Sequence, residues 1–400
     1  MKTPIKKLFK GLSAFFLSFL ILAGFLLFPF SGNSCAYAEN ALLFDDVVEV
    51  ACGIQYLAAL KADGTVSLAK IIYSPELDTY EKSFVDFEDN DYRIPVDMDI
   101  LRSEVSTWEN IRSIGILPFD NFGHQNCEIL IGLDVDGKIH AAFGFPEIIM
   151  GFFSENNVFT VQMDDWSDVV SFATCRRLLM GVRSDGTLCL TGNLDGAQEI
   201  KVLAEHATGV ASVQLAFSNM GPEVACLFQD GRVGLPVYEY GNGEDYIEDY
   251  AVNVLEYDRS MSNLAALQDN DTIVISGVSV PDCVGIKQVC CSGASLYVVI
   301  QNGDVCSLDP DKGLQETDFK CIDRLYCNHS GDRVYGLLGL TDNGSVVAEW
   351  WENAFTSNID LSDWHDITDL FFPQEDITYV VGLNQNGNIL LSGNVTAEVY

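Results

Sequence analysis

The side chains that could do chemistry in this 400-residue chain are its 12 cysteines, 5 histidines and 58 acidic residues. Their spacing forms none of the usual constellations. His124, His140, His206, His329 and His365 are scattered, with no H-E-x-x-H pair that would present two imidazoles on one helix face. No C-x-x-C spacing supplies a zinc knuckle, and Cys290-Cys291 in a strand would point to opposite faces. There is no G-x-S-x-G elbow and no phosphate-cradling glycine loop. With so many carboxylates, a close pair arises by chance and does not by itself mark a catalytic couple. Acidic runs at 86–91, at 241–245 with Glu248 and Asp249, and at 309–313 miss the ligand spacing of a calcium hand and read as solvated loops. The residues therefore point away from an enzyme, and no metal or cofactor is expected.

The binding chemistry that remains is aromatic and acidic. Tyr238, Tyr240, Tyr246 and Tyr250 alternate with Glu239, Glu244, Asp245, Glu248 and Asp249, and Phe84 to Tyr92 repeats that composition. Tyrosines flanked by carboxylates suit contact with a basic protein, and these six aromatics are the candidate binding residues. An ordinary decorated edge loop has the same composition.

Charge narrows the partners. The formal net charge is -36, and removing the amino-terminal segment, which holds four lysines and no acid before Glu39, takes it four units lower. No basic stripe is present to release counterions from phosphate, which excludes nucleic acid as a direct partner. Lys2, Lys6, Lys7 and Lys10 precede an apolar run from Ala14 to Phe30 and the small-residue exit Ala36-Tyr37-Ala38. That order is a secretory signal over 1–38, with an uncleaved membrane anchor as the alternative. The expected location is extracellular, secreted or at the cell surface.

What positions these residues is a repeat. VVEVACGIQYLAALKADGTVSLA from Val47 returns as DVVSFATCRRLLMGVRSDGTLCLTG from Asp168 and as IKQVCCSGASLYVVIQNGDVCSL from Ile286. Each copy runs V-x-x-V, a small-residue segment, an apolar strand, an Asp-Gly or Asn-Gly corner and a second alternating strand, which is a hairpin. Corner glycines are Gly64, Gly137, Gly186, Gly231, Gly303, Gly344 and Gly387, and Asp269-Asn270-Asp271 is a degenerate eighth. A type I′ turn, with both corner residues at positive φ, is the expected geometry. The widest gap between corners, Asp63 to Asp136, implies an acidic insertion near 71–107, read as a long loop or extra hairpin. Trp108, Trp166 and Trp364 recur three residues ahead of a strand start and are expected to pack between repeats. Cys52, Cys175, Cys291 and Cys327 fall in the small-residue segment, and Cys189 and Cys306 follow corners, so cysteine is expected as a compact buried residue more than as a disulfide partner. No long helical periodicity is visible. About 360 residues without a linker fit one repeat array better than one core.

These repeats resemble the regulator of chromosome condensation family, whose units carry an apolar strand, a small-residue segment and L-x-x-D-G-x-V. The W-x-D-V entry at Trp166 and the related entries at Trp108 and Trp364 look like the short version found in exported proteins of Gram-positive bacteria. The resemblance covers nearly all of 43–393 and implies an all-β fold over 41–400, a closed β-propeller, with seven blades favoured over eight by the family norm. It does not carry over the namesake's nuclear exchange activity, which the leader and acidic charge oppose. A secreted propeller of this family that inhibits β-lactamase is the nearer analogy. The expected function is a non-catalytic scaffold that binds a protein partner, or a cell-wall glycan, through its loops. The alternatives are a hydrolase or lyase acting on extracellular polymers at the channel mouth, and a membrane-tethered structural domain.

Overall fold

A computed structural model describes residues 44–73, 96–121, 125–145, 163, 165–176, 178–192, 198–218, 221–237, 246–260, 263–275, 277–292, 295–309, 313–327, 336–350, 359–373, 379–393 and 395–400. They belong to one compact unit, Leu42–Tyr400. Among them are eight antiparallel sheets of three or four strands, one for each corner. Among the described residues each corner has a sheet of its own, eight in all, where seven blades were favoured over eight.

Each sheet starts with an inner strand: Val47–Cys52, Ile111–Asn121, Val169–Cys175, Val210–Ser218, Val254–Arg259, Ile286–Ser292, Ile322–Cys327 and Ile367–Phe371. The second strand is buried on both faces, as in Tyr56–Lys61, because a neighbouring sheet covers each side. Eight apolar clusters fill the eight gaps between successive sheets. One of them joins the last sheet to the first, through Tyr379, Val381 and Leu383 against Val50, Leu57 and Ala59. The carboxy-terminal strand Val395–Val399 also pairs with Val66–Tyr73 of the first sheet. The architecture is a closed β-propeller.

The corners differ from expectation in a specific way. All seven glycines take positive φ, from 73° to 85°, but the Asp or Asn before each does not. At the first corner Lys61 N–H donates to Thr65 O at 2.8 Å and Gly64 N–H to Lys61 O at 2.9 Å, a three-residue loop with a left-handed glycine rather than a type I′ turn. The acid has its own task there: Asp63 Oδ1 accepts the Thr65 N–H at 2.9 Å and its hydroxyl at 2.6 Å, and Asp185 does the same for Thr187. At the eighth corner Asp271, φ 60°, takes the place of glycine.

Corner and inner strand are bonded across the gap between sheets. The residue before each inner strand, from Asp46 to Asp366, is also left-handed, and at the seven glycine corners the next N–H donates to the corner's glycine carbonyl, while at the corner without glycine the Cys283 N–H donates to Asp271 O at 2.8 Å. Examples are Ile111 to Gly64 at 3.1 Å, Val169 to Gly137 at 3.0 Å and Ile367 to Gly344 at 2.9 Å.

The recurrent tryptophans lie in these gaps. Trp108 and Trp166 are buried and Trp364 is half-buried. Each sits against a glycine of its own sheet's second strand, where a Cβ would meet the ring: Gly132 at 2.6 Å, Gly181 at 3.0 Å and Gly382 at 2.6 Å. Phe319 takes the same place against Gly339. Large aromatic and absent side chain are complementary halves of one packing unit.

Helix Met98–Val105 stands at the end of the expected insertion, where a loop or hairpin was expected. Asp97 caps it, accepting from the Asp99 and Ile100 N–H groups, and Met98, Leu101 and Val105 form its buried stripe. A second helix, Gln198–His206, precedes the fourth sheet and buries Ile200 and Leu203. The rest of the insertion, 74–95, lies outside the described residues. Among the described residues no helix is long and apolar enough to cross a membrane.

Candidate binding surface

The V-x-x-V spacing that opens each repeat places two buried residues three apart, which a strand of period two cannot do without an extra residue. The structure supplies it. Pairing with the second strand shifts register between the first and third residues of every inner strand, for example between Val47 and Glu49 and between Val254 and Glu256. A bulge leaves one residue unpaired and re-aims it. Here the bulged residues are Val48, Arg112, Val170, Ala211, Leu255, Lys287, Asp323 and Thr368, and all eight are exposed. Set at the corner end of each inner strand, they make a ring on that side of the closed propeller, and none of them lines the central cavity. Its first five members are mainly apolar, with Val48 54%, Val170 42% and Leu255 67% exposed, while the last three are polar or charged.

Later residues of the inner strands line a cavity of about 480 Å³. Glu256 and Asp258, alternate residues of one strand, lie on one wall together with Gln214, and Phe371, Phe372 and Tyr326 are among the other lining groups. Burial, and then repulsion from Asp258, push the Glu256 carboxyl up to about 7. Asp258 Oδ2 accepts the Cys291 N–H at 2.7 Å. Gln214 donates to Tyr257 O at 3.1 Å, while its carbonyl oxygen is buried without a partner. Glu49, in the same register position as Glu256, is likewise raised by burial and accepts from the Ser113 hydroxyl at 3.1 Å.

Other polar groups on the inner strands join neighbouring sheets. Gln288 bonds both the N–H and the carbonyl of Leu325 at 2.8 Å, substituting for a peptide group. The Tyr326 hydroxyl donates to Asp369 Oδ1 at 2.6 Å, and Arg324 pairs with the same carboxylate at 3.3 Å. Arg112 donates to Val169 O and Val170 O at 3.0 and 2.9 Å. Cys290 and Cys327, on adjacent inner strands, form a disulfide with Cα atoms 6.5 Å apart. Cys327 was expected as a buried thiol; two small-residue segments facing one another across a gap bring the sulfurs together. Cys52, Cys175, Cys189, Cys291 and Cys306 are buried free thiols, and burial raises each of them.

The six candidate aromatics fall elsewhere. Phe84, Tyr92, Tyr238 and Tyr240 lie outside the described residues, and for Tyr246 only the backbone is described, at the start of strand Tyr246–Ala251. Tyr250 is half-buried, and its hydroxyl donates to Leu264 O at 2.6 Å. Its ring packs in the core between the fourth and fifth sheets and also lines a second cavity, of about 510 Å³, with Glu223, Glu248 and Asp249. The strand ends Val237 and Tyr246 lie at the side opposite the corners, away from the bulge ring. Sequence reasoning missed the ring, although the three-residue spacing of V-x-x-V carried the signal.

No family model matches the chain, and no curated protein matches it. Among solved structures it is similar to a computationally designed protein, Ika8, over 89% of this chain and 99% of that one, at 12% identity and a TM-score of 0.46. Prp20p from Saccharomyces cerevisiae, in a study of its binding to Gsp1p and histones, aligns over 88% of this chain and 83% of its own at 9% identity and a TM-score of 0.38. BBS1N, in complex with ARL6DN, covers 67% and 87% at 11% identity and a TM-score of 0.38. The assignment of this chain to the β-propellers rests on its own eight sheets and their closure.

Proposed function

We propose that this chain is an exported, non-catalytic scaffold that binds a protein partner through the rigid faces of its ring. The observation that carries this reading is the bulge ring: eight exposed side chains, aimed outward by one backbone device and held by a frame whose sheets are bonded to one another. Exposed Leu255, Val48 and Val170 provide apolar contact, and the charged sector from Lys287 to Arg324 provides orientation. A frame of this rigidity requires little ordering on association, which favours recognition. The Tyr-rich acidic segment from Tyr238 is proposed as a second contact region.

A hydrolase or lyase acting in the channel is the second reading, and Glu256 beside Asp258 is the observation in its favour. The two readings separate in one comparison. The full chain is used as bait against the culture medium, beside Leu255→Asp and Val170→Asp variants with unchanged melting curves. The scaffold reading expects a partner held by the wild type and lost from both variants. Retention by both, or turnover of an extracellular polymer abolished by Glu256→Gln, contradicts it.

A further inference from the structure

The large apolar side chains left in water are unevenly placed. Eleven are exposed among the described residues, and six of them, Val48, Val135, Val170, Val252, Leu255 and Val284, stand on the corner side. The other five are spread over the third and fourth strands of four sheets. Leu255 and Val284, each 67% exposed, head the set and belong to the fifth and sixth sheets, which pack on one another. Val252, 45% exposed, stands across the left-handed Asn253 from Leu255. Val252 and Val284 precede Asn253 and Gly285, whose carbonyls accept the corner N–H groups of Asp269 and Gln301 at 2.9 and 2.7 Å. Apolar groups exposed singly are ordinary, but three gathered at one junction of two sheets mark a surface that another molecule covers.

Charge on this side has one sign to spare. Lys61, Arg232, Lys287 and Lys320 are already held by carboxylates, Asp45, Asp230 with Asp249, Asp323 and Asp304. Exposed Asp46, Asp136, Asp168, Asp269, Asp271 and Asp366 make no ion pair among the described residues. Two of these, Asp269 and Asp271, form the corner of the fifth sheet, and Asp271 O accepts the Cys283 N–H at 2.8 Å, one residue from Val284. The apolar junction is thus edged by carboxylates that the fold leaves uncompensated, and complementary charge sets which partner approaches it.

We infer that the junction of the fifth and sixth sheets is the docking patch for a basic protein partner, which seats apolar side chains on Val252, Leu255 and Val284 and lays Lys or Arg beside Asp269 and Asp271. This rests on the scaffold reading and adds to it the place of contact and the chemistry of the partner. An apolar centre with a charged rim is the anatomy of a protein contact, and here the rim has a single sign.

The probe is a short amphipathic helix of Leu and Lys, titrated into the full chain by calorimetry and amide NMR, beside the same helix with Glu in place of Lys. The Leu-Lys helix should bind saturably, perturb the amides of Val252, Leu255 and Val284 first, and weaken severalfold between about 50 and 300 mM salt. Leu255→Ser and Val284→Ser, both at exposed positions, should each weaken it by about tenfold. Asp269→Asn with Asp271→Asn should reduce the salt dependence, and asparagine accepts the left-handed backbone at 271. Val347→Ser, exposed in the seventh sheet, should leave binding within about twofold. Equal binding of the Leu-Glu helix, no binding of the Leu-Lys helix, or indifference to both Leu255→Ser and Val284→Ser overturns the inference. A partner captured from the culture medium that neither salt nor the Leu-Lys helix displaces removes the basic partner and leaves the scaffold. Binding of the Leu-Lys helix at the patch with no partner ever captured does the reverse.

Discussion

The Val47 N–H donates to the Gly387 carbonyl at 2.9 Å, so the first inner strand is bonded to the last corner. A Cβ at Gly387 would stand 2.9 Å from that nitrogen and 3.0 Å from Asp46 Cα. The same bond recurs between successive sheets, which makes the corner glycine both the turn of one sheet and the socket for the next. Two requirements meet at that residue, a left-handed backbone and the absence of a side chain.

Gly186 and Gly231 separate those two requirements. Their φ values are 78° and 83°, but a Cβ at Gly186 meets Gly209 Cα at 2.5 Å, whereas at Gly231 the nearest atom is 3.7 Å away. Gly231→Ala should therefore lose only the backbone preference, about 1 to 2 kcal/mol. Gly186→Ala should lose roughly 3 kcal/mol or more, because the backbone of the next sheet must move. Denaturant midpoints of the two variants check this, and equal losses would mean that the socket contact is not tight.

Trp166→Ala should cost about 3 to 5 kcal/mol, as a buried ring leaves a cavity between the second and third sheets. Gly181→Ala alone should cost roughly 1 to 3 kcal/mol by overpacking against that ring and Cys189 Sγ. Combining Gly181→Ala with Trp166→Phe should be less destabilising than the sum of the single losses, the mark of two groups sharing one volume. Simple additivity in thermal unfolding would contradict the packing unit.

Stability should decline as pH rises through neutrality, in part because of one residue. Glu256 titrates near 7 in the folded chain, above an ordinary carboxylate. Between the two values the native state holds a proton that the unfolded state has released, so raising the pH through this window removes stability. After solvent screening the effect is on the order of 1 to 2 kcal/mol between about pH 5 and pH 8. Glu256→Gln should flatten that part of the profile, and an unaltered slope would place the carboxylate in water.

Thiol accessibility tests the burial of the cysteines. Among the described free cysteines Cys321 alone is exposed, and a maleimide applied to the folded chain should modify it well before Cys52, Cys175, Cys226 or Cys291. Cys290→Ser and Cys327→Ser should each lose about 2 to 4 kcal/mol, and the double variant no more, because one bond is removed in every case. Additive losses would mean that the sulfurs act separately.

Much of the fold was legible because the strongest local signals are also the ones that build it. Asp-Gly and Asn-Gly marked every corner but the one at Asp271, where aspartate substitutes in the left-handed position. The turn type was not legible, since the same dipeptide serves a type I′ turn and a three-residue loop, and only the partner of Lys61 N–H tells them apart. Trp108, Trp166 and Trp364 announced an aromatic at the gap, but their matching glycines, Gly132, Gly181 and Gly382, read as ordinary strand glycines until the sheets are stacked. The disulfide depends on two adjacent inner strands, and its cysteines, 37 residues apart, face one another only once the sheets are stacked. The bulge ring was present in V-x-x-V as a spacing that no regular strand satisfies, and the carboxylates of the channel were hidden among 58 acids.

Closure of the ring is measured most directly by native-state hydrogen exchange at the Val47 amide and along Val395–Val399. In a closed ring these amides, at the two ends of the domain, should be protected to the same degree as the Val169 amide in the third sheet. Exchange of Val47 and the carboxy-terminal strand far faster than Val169, as at the frayed ends of an open array, would contradict closure.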